Sequence, residues 1–183
     1  REHDRQPARE PRKRGGQVVV VNPVREVGLV RFRIPSKPGS LLFGSQVSDL
    51  YVQPHVGGDL AFLTGVAKRV LELGAEDRTF LEQHCEGWPE LRAHLQAASW
   101  ADLVAASGVS RDHIDDAARR YAAAKSVIFC WAMGITHHLH GVDNVLALAN
   151  LACLRGMVGR PGAGLLPIRG HSNVQGVGSM GFS

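Results

Sequence analysis

An α/β fold with a mainly parallel sheet is predicted by three observations. Two β-branched apolar runs, Gln17 to Asn22 and Ser126 to Trp131, are the length of buried strands. Between and after them lie segments whose apolar residues recur at helical spacing. The resulting order, strand, helices, strand, helix, is that of chains whose parallel strands are joined by helical crossovers. The 183 residues (19.8 kDa) suffice for one sizeable domain, and 44% hydrophobic with 21% charged residues excludes wholesale disorder. Mean hydropathy is -0.07, and no apolar run approaches the roughly 20 residues of a membrane-spanning helix.

The first strand, QVVVVN, follows Gly15-Gly16 and stops at Pro23. Val24 to Ser48 is rich in Gly, Pro and Ser and reads as a long irregular excursion, with a short strand at Leu29 to Ile34; a loop of that length is usually functional or interface-forming. Asp49 to Gln53 reads as another short strand. Gly57-Gly58-Asp59 opens a helix running to about Leu73, in which Leu60, Leu63, Val66, Ala67, Val70 and Leu71 share a face. Further helices fit Asp77 to Cys85, Trp88 to Ala98 and Trp100 to Ala106. Ser110 is an N-cap for Arg111 to Ala124, with acids early and bases late. Gly141 to Leu154 is a strongly apolar helix, after which eight glycines crowd Gly156 to Gly181.

Charge excludes one class of function. The formal net charge is +4, but residues 1–14 hold six bases and three acids. The folded remainder is therefore close to neutral and lacks the basic patch that nucleic-acid binding needs. The head itself reads as a solvated linker. Cys85, Cys130 and Cys153 are few, odd in number and far apart in sequence, which suits a reducing compartment and neither a disulfide framework nor a zinc pattern. A cytoplasmic location is expected. The absence of an initiating Met and the stop within a glycine-rich stretch are expected of a piece of a longer polypeptide.

Ligands of open α/β sheets bind beyond the carboxyl ends of strands. One such end is Asn22-Pro23-Val24-Arg25, which offers an amide and a guanidinium suited to phosphate; a plain turn with a surface arginine is the competing reading. The other is Trp131 to His138, where Gly134 permits close backbone approach and His137 can hydrogen-bond a ligand. His138 and His140 read as solvent-facing or packed, and HHxH is a poor metal spacing. Asp59 can accept two hydrogen bonds from the N1–H and amino group of guanine; a helix N-cap is the plainer reading of it in isolation. The densest polar cluster is Arg169-Gly170-His171-Ser172-Asn173-Val174-Gln175-Gly176, all donors and neutral acceptors without a carboxylate, a lining for an anionic or very polar ligand. No GxGxxG follows the first strand, and no P-loop, GxSxG or HExxH is present.

Taken together, VVVVNPVRE, the GGD helix start, WAMGITHH, LANLACLRGMVGRPGAG and IRGHSNVQG resemble, in order and spacing, the large (alpha) subunit of molybdopterin oxidoreductases, most closely its formate dehydrogenase-like branch. The likeness spans roughly residues 13–182. It implies a Rossmann-like three-layer domain over residues 15–158, within a larger multidomain molybdoenzyme, followed by a cofactor and active-site loop over 159–183. It implies bis(molybdopterin guanine dinucleotide) carrying molybdenum or tungsten, and in the rest of such a polypeptide the metal ligand and a possible 4Fe-4S cluster. By position, Asn22, Pro23 and Arg25 would lie near guanosine or diphosphate, Gly58 and Asp59 at guanine, Gly134 and His137 along the cofactor, and Ser172, Asn173 and Gln175 toward the pterin. Arg169 would orient a small anionic substrate beside the metal, with His171 next to it. The branch commonly has Gln where this chain has His137 and His171, so imidazoles that can change charge stand in place of amides. The expected partners are the remainder of the polypeptide and an electron-transfer partner. The alternative function is a non-catalytic α/β nucleotide-binding or protein-interaction module.

Overall fold

The computed structural model describes residues 15–181 apart from 34 and 37; the basic head, residues 1–14, lies outside the described residues. The chain is α/β, and its strands form two parallel pairs and one antiparallel pair. Strand β1 (Val19–Val21) pairs in parallel with β4 (Leu50–Val52), with Val20 opposite Tyr51. The excursion between them holds α1 (Val27–Val30), β2 (Arg31–Phe32), α2 (Pro38–Phe43) and β3 (Ser45–Gln46), with β2 and β3 antiparallel. The strand expected at Leu29 to Ile34 is thus reduced to two residues, because Leu29 closes a helical turn onto Glu26.

Six helices follow as read from the sequence, their ends set by local chemistry. Helix α3 is Asp59–Glu72 and α4 is Arg78–His84, capped by the Asp77 carboxylate accepting from Phe80 N–H. Helix α5 (Trp88–Ala97) starts after left-handed Gly87, and α6 (Trp100–Ser107) runs between the Ser99 cap and left-handed Gly108. Helix α7 (Arg111–Ala123) is capped by Ser110. Strand β5 (Ile128–Trp131), α8 (Met133–Thr136), α9 (Gly141–Leu154) and β6 (Gly164–Pro167) then make a parallel βαβ unit, with Ile128 opposite Gly164 and Trp131 opposite Pro167. Helix α10 (Val174–Ser179) ends the described chain. The glycine-rich tail therefore contains a strand and a helix that its composition concealed.

Helix α3 is the hub. It packs against α5, α6, α7 and α9, and its Phe62, Leu63, Val66 and Val70 meet Ile114, Ala118, Leu148, Leu151 and Ala152 in one buried core. Buried polar groups tie the layers. Tyr121 Oη donates to the Leu151 carbonyl (2.6 Å), and its ring meets Phe129 edge-on, joining α7, α9 and β5. The Arg155 guanidinium donates to the carbonyls of Ala75, Tyr121 and Ala124. Buried Lys68 donates to Leu95 and Gln96 carbonyls and so closes the end of α5.

The two strands read as fully buried are not. Val19 and Val21 are about two-fifths exposed and Ile128 more than half. Each belongs to a two-stranded ladder, and the helices of this chain cover its strands incompletely, whereas strands of parallel sheets are ordinarily covered on both sides.

At the start of α3, sterics dictate one residue. A Cβ on Gly58 would fall 2.8 Å from the Ser107 carbonyl oxygen and 2.9 Å from that of Ala106, both backbone atoms that cannot swing away. Gly58→Ala is therefore expected to lower unfolding free energy by roughly 1–3 kcal/mol in urea melts, the usual cost of overpacking; an unchanged midpoint would show that α6 yields.

Candidate functional site

The segments that follow β4 and β5 meet. Residues 22–26 leave β1, and β4 holds them in place. Asn22 N–H donates to the Val52 carbonyl, Gln53 Nε2 to the Pro23 carbonyl, and Tyr51 Oη to the Val24 carbonyl. The chain then runs from β4 to the start of α3, where Asp59 sits. From the neighbouring pair, β5 delivers α8 and His137–His138, and β6 delivers Arg169, anchored by Ile168 N–H donating to the Trp131 carbonyl (2.7 Å). Because α3 packs on α9, the loops after β4 and β5 meet at one edge.

The meeting point is Asp59 with His138. The Asp59 carboxylate lies 3.7 Å from His138 Nε2, and both side chains keep about a fifth of their surface open. Asp59 is the first residue of α3, behind Gly58 at the cap position, and no side-chain cap is made there. The plainer reading of Asp59 as an N-cap is thus not what the helix uses. Burial pushes its carboxyl above the ordinary carboxylate range, while its own backbone amide and the His138 imidazole pull it back.

Asn144 organises this corner. It is fully buried on α9, and its Nδ2 donates to the Ile135 carbonyl (2.9 Å) and lies 2.6 Å from His138 Nε2. The Asn144 Oδ1 is buried with no hydrogen-bond partner. Sequence reasoning chose His137 of the two adjacent histidines and passed over Asn144. Its signal was present: Asn144 shares a helix face with Leu148 and Leu151, and a lone amide on an apolar face must be hydrogen-bonded to something.

The fold holds the other expected residues in different ways. The Asn22 side chain is occupied locally, its Nδ2 donating to Glu26 (2.7 Å) and its Oδ1 accepting from Val24 N–H (2.9 Å). Arg25 lines a groove of about 490 Å³ with Val30, Arg31, Gln46, Ser48, Asp49 and Tyr51. Gly134 has nothing within 4 Å of where a Cβ would stand, so this chain's own packing does not require a glycine there. His137, Arg169, His171, Ser172 and Gln175 are exposed. Asn173 is left-handed (φ 54°) and occupies the cap position of α10, and a Cβ at Gly176 would require the Asn173 side chain to move. A larger groove, about 700 Å³, contains none of the expected residues and lies near the amino end of β5, between Glu76–Thr79, Ala123–Lys125, Arg155 and Arg160. Among the described residues no three His, Cys, Asp or Glu gather as a metal site, and no helix is long and apolar enough to cross a membrane.

The same α/β architecture forms part of a larger solved structure. It matches acetylene hydratase from Pelobacter acetylenicus with a TM-score of 0.66 at 19% identity, over 82% of this chain and 18% of that one. Curated relatives include protein YdeP of Escherichia coli K12, 39% identical over 93% of this chain, and an uncharacterized oxidoreductase of Mycobacterium tuberculosis, 36% identical over 92%. A putative formate dehydrogenase of Staphylococcus aureus is 37% identical over 73%. The chain spans 24%, 22% and 14% of these three proteins respectively. No protein-family model matches it. These matches support the resemblance that the ordered motifs carry, for a chain that spans only part of each relative.

The Asp59 environment gives a stability test. A carboxyl whose native pKa is raised keeps its proton to higher pH when folded than when unfolded. The stabilising proton is lost as pH rises through the raised value. The Tm difference between Asp59→Asn and the native chain is therefore expected to move in favour of the variant from about pH 4 to pH 7. A difference moving the other way would mean that the ionised carboxylate is the stabilised form.

Proposed function

We propose that this chain supplies part of the cradle for a molybdopterin guanine dinucleotide in a formate dehydrogenase-like oxidoreductase that uses molybdenum or tungsten. The observation that carries the reading is the meeting of the segments after β4 and β5, which sets the Asp59 carboxylate against His138 with part of its surface open. The residues present suit such a group. Asp59 offers two acceptors to the N1–H and amino group of guanine, a pattern adenine cannot match. Arg25 can pair with a diphosphate, and the space beside Gly134 admits a ligand against the backbone. The carboxylate-free run from Arg169 to Gln175 suits the polar pterin.

The metal–pterin group, when bound, supplies two-electron redox chemistry. This chain's share is binding and orientation. The Arg169 guanidinium would hold a small anionic substrate in a fixed pose, since a planar fork matches a carboxylate or similar oxyanion in two contacts. His171, beside it, and His137, along the cofactor, would offer imidazole hydrogen-bonding atoms where the branch commonly has amides. Formate fits the anion class, and the relative described as a putative formate dehydrogenase supports that choice. A 4Fe-4S cluster and an electron acceptor would belong to other parts of such an enzyme, which we place in the cytoplasm.

Two experiments on the full-length protein test this. In calorimetric titrations of cofactor-free protein, GDP is expected to bind more tightly than ADP. Asp59→Asn is expected to reduce that preference by about 1–3 kcal/mol, as for other bidentate base contacts; equal binding of the two nucleotides by the native protein would refute guanine reading. In formate oxidation assays with an artificial acceptor, Arg169→Lys is expected to raise KM or lower kcat at unchanged metal content. An unaltered rate would remove Arg169 from the site.

A further inference from the structure

Two cysteines that are far apart in sequence meet in the fold. Cys85 directly follows α4, its N–H donating to the Leu81 carbonyl, and Cys153 lies in the last turn of α9. The two helices pack together, and Asp77 N–H, at the start of α4, donates to the Leu154 carbonyl (2.8 Å). This docking places the Cys85 and Cys153 side chains within interaction range of each other. Both are partly open to solvent, whereas Cys130, on β5, is exposed and has no such neighbour.

We propose that Cys85 and Cys153 are an oxidisable dithiol, which a small disulfide such as oxidised glutathione converts into an intramolecular disulfide linking α4 to α9. The exchange balances in two steps. One cysteine thiolate attacks a sulfur of the glutathione disulfide, forming a protein–glutathione mixed disulfide and expelling one glutathione thiolate. The second cysteine thiolate then attacks the protein-bound sulfur, forming the Cys85–Cys153 bond and expelling the second glutathione. The two cysteine thiols lose two protons and two electrons, and one disulfide is reduced to two thiols. The second step is intramolecular between groups already within interaction range, so it outpaces capture by free thiols. Burial raises the Cys153 thiol, and closure therefore quickens as pH rises. Disulfides are rare in reducing compartments, so this pair would report an oxidising shift rather than serve as a permanent staple.

The test uses the folded full-length protein. It is incubated with oxidised glutathione, remaining thiols are alkylated, and non-reduced peptides are mapped by mass spectrometry. The expected product is a Cys85–Cys153 linked peptide, reversed by dithiothreitol and exceeding any pair that includes Cys130 on the order of tenfold. Cys153→Ser is expected to leave Cys85 trapped as the glutathione adduct, and Cys85→Ser to leave the adduct on Cys153. If Cys130 is fully glutathionylated while both other cysteines are still alkylated, the proposal is overturned. A link that forms only after urea unfolding, or one that joins either cysteine to Cys130 instead, overturns it as well.

Discussion

The packing of α3 against α9 is the contact on which the rest of the structure depends. Phe62, Leu63, Val66 and Val70 on one side and Leu148, Leu151 and Ala152 on the other are buried in one core. Each helix starts just after a parallel strand, so fixing the helices side by side also fixes where β4 and β5 end. The hydrophobic effect that drives this burial has no direction of its own. Direction comes from the polar groups at the margins. Asn144 clamps the turn after β5 onto α9, and Gly58 lets α3 begin against the backbone of α6.

That arrangement concentrates electrostatic tension at one end of the hub helix. Asp59 is partly desolvated, which disfavours its charge, and His138 beside it is already engaged by the Asn144 amide. A carboxylate in such a place weakens the fold slightly and is ready to accept donors from a ligand. At the far side of the hub the ionic groups satisfy each other: Asp115 pairs with Arg69 and Arg119, whose guanidinium groups hold its carboxyl below the ordinary range. Arg111 stacks on the Trp100 ring and pairs with Glu72. Groups that are mutually paired in this way have little left to offer a ligand.

Much of the helical layer was legible in the sequence. Ser110 caps its helix as read, and the apolar face of α3 recurs at the right interval, while the Ser99 and Asp77 caps act by the same local chemistry. Such signals are local and act within a turn or two of chain. The short elements were not legible. Strands β2 and β3 are two residues each, too short to show a period. Helix α10 has two glycines among its six residues, a composition that reads as loop because glycine costs helix formation about 1 kcal/mol per residue relative to alanine.

What the sequence determined by itself is therefore the class of fold, the helix boundaries and the segments that leave the strands, because caps, periodicity and turn residues are local physics. Which side chains meet was decided by tertiary structure alone. His137 and His138 are neighbours in sequence, yet it is His138 that packs between Asp59 and Asn144, since the turn after β5 presents successive residues in different directions. Cys85 and Cys153 come within interaction range because α4 packs against α9. Contacts between residues distant along the chain depend on how whole helices dock, and no local pattern of residues encodes that.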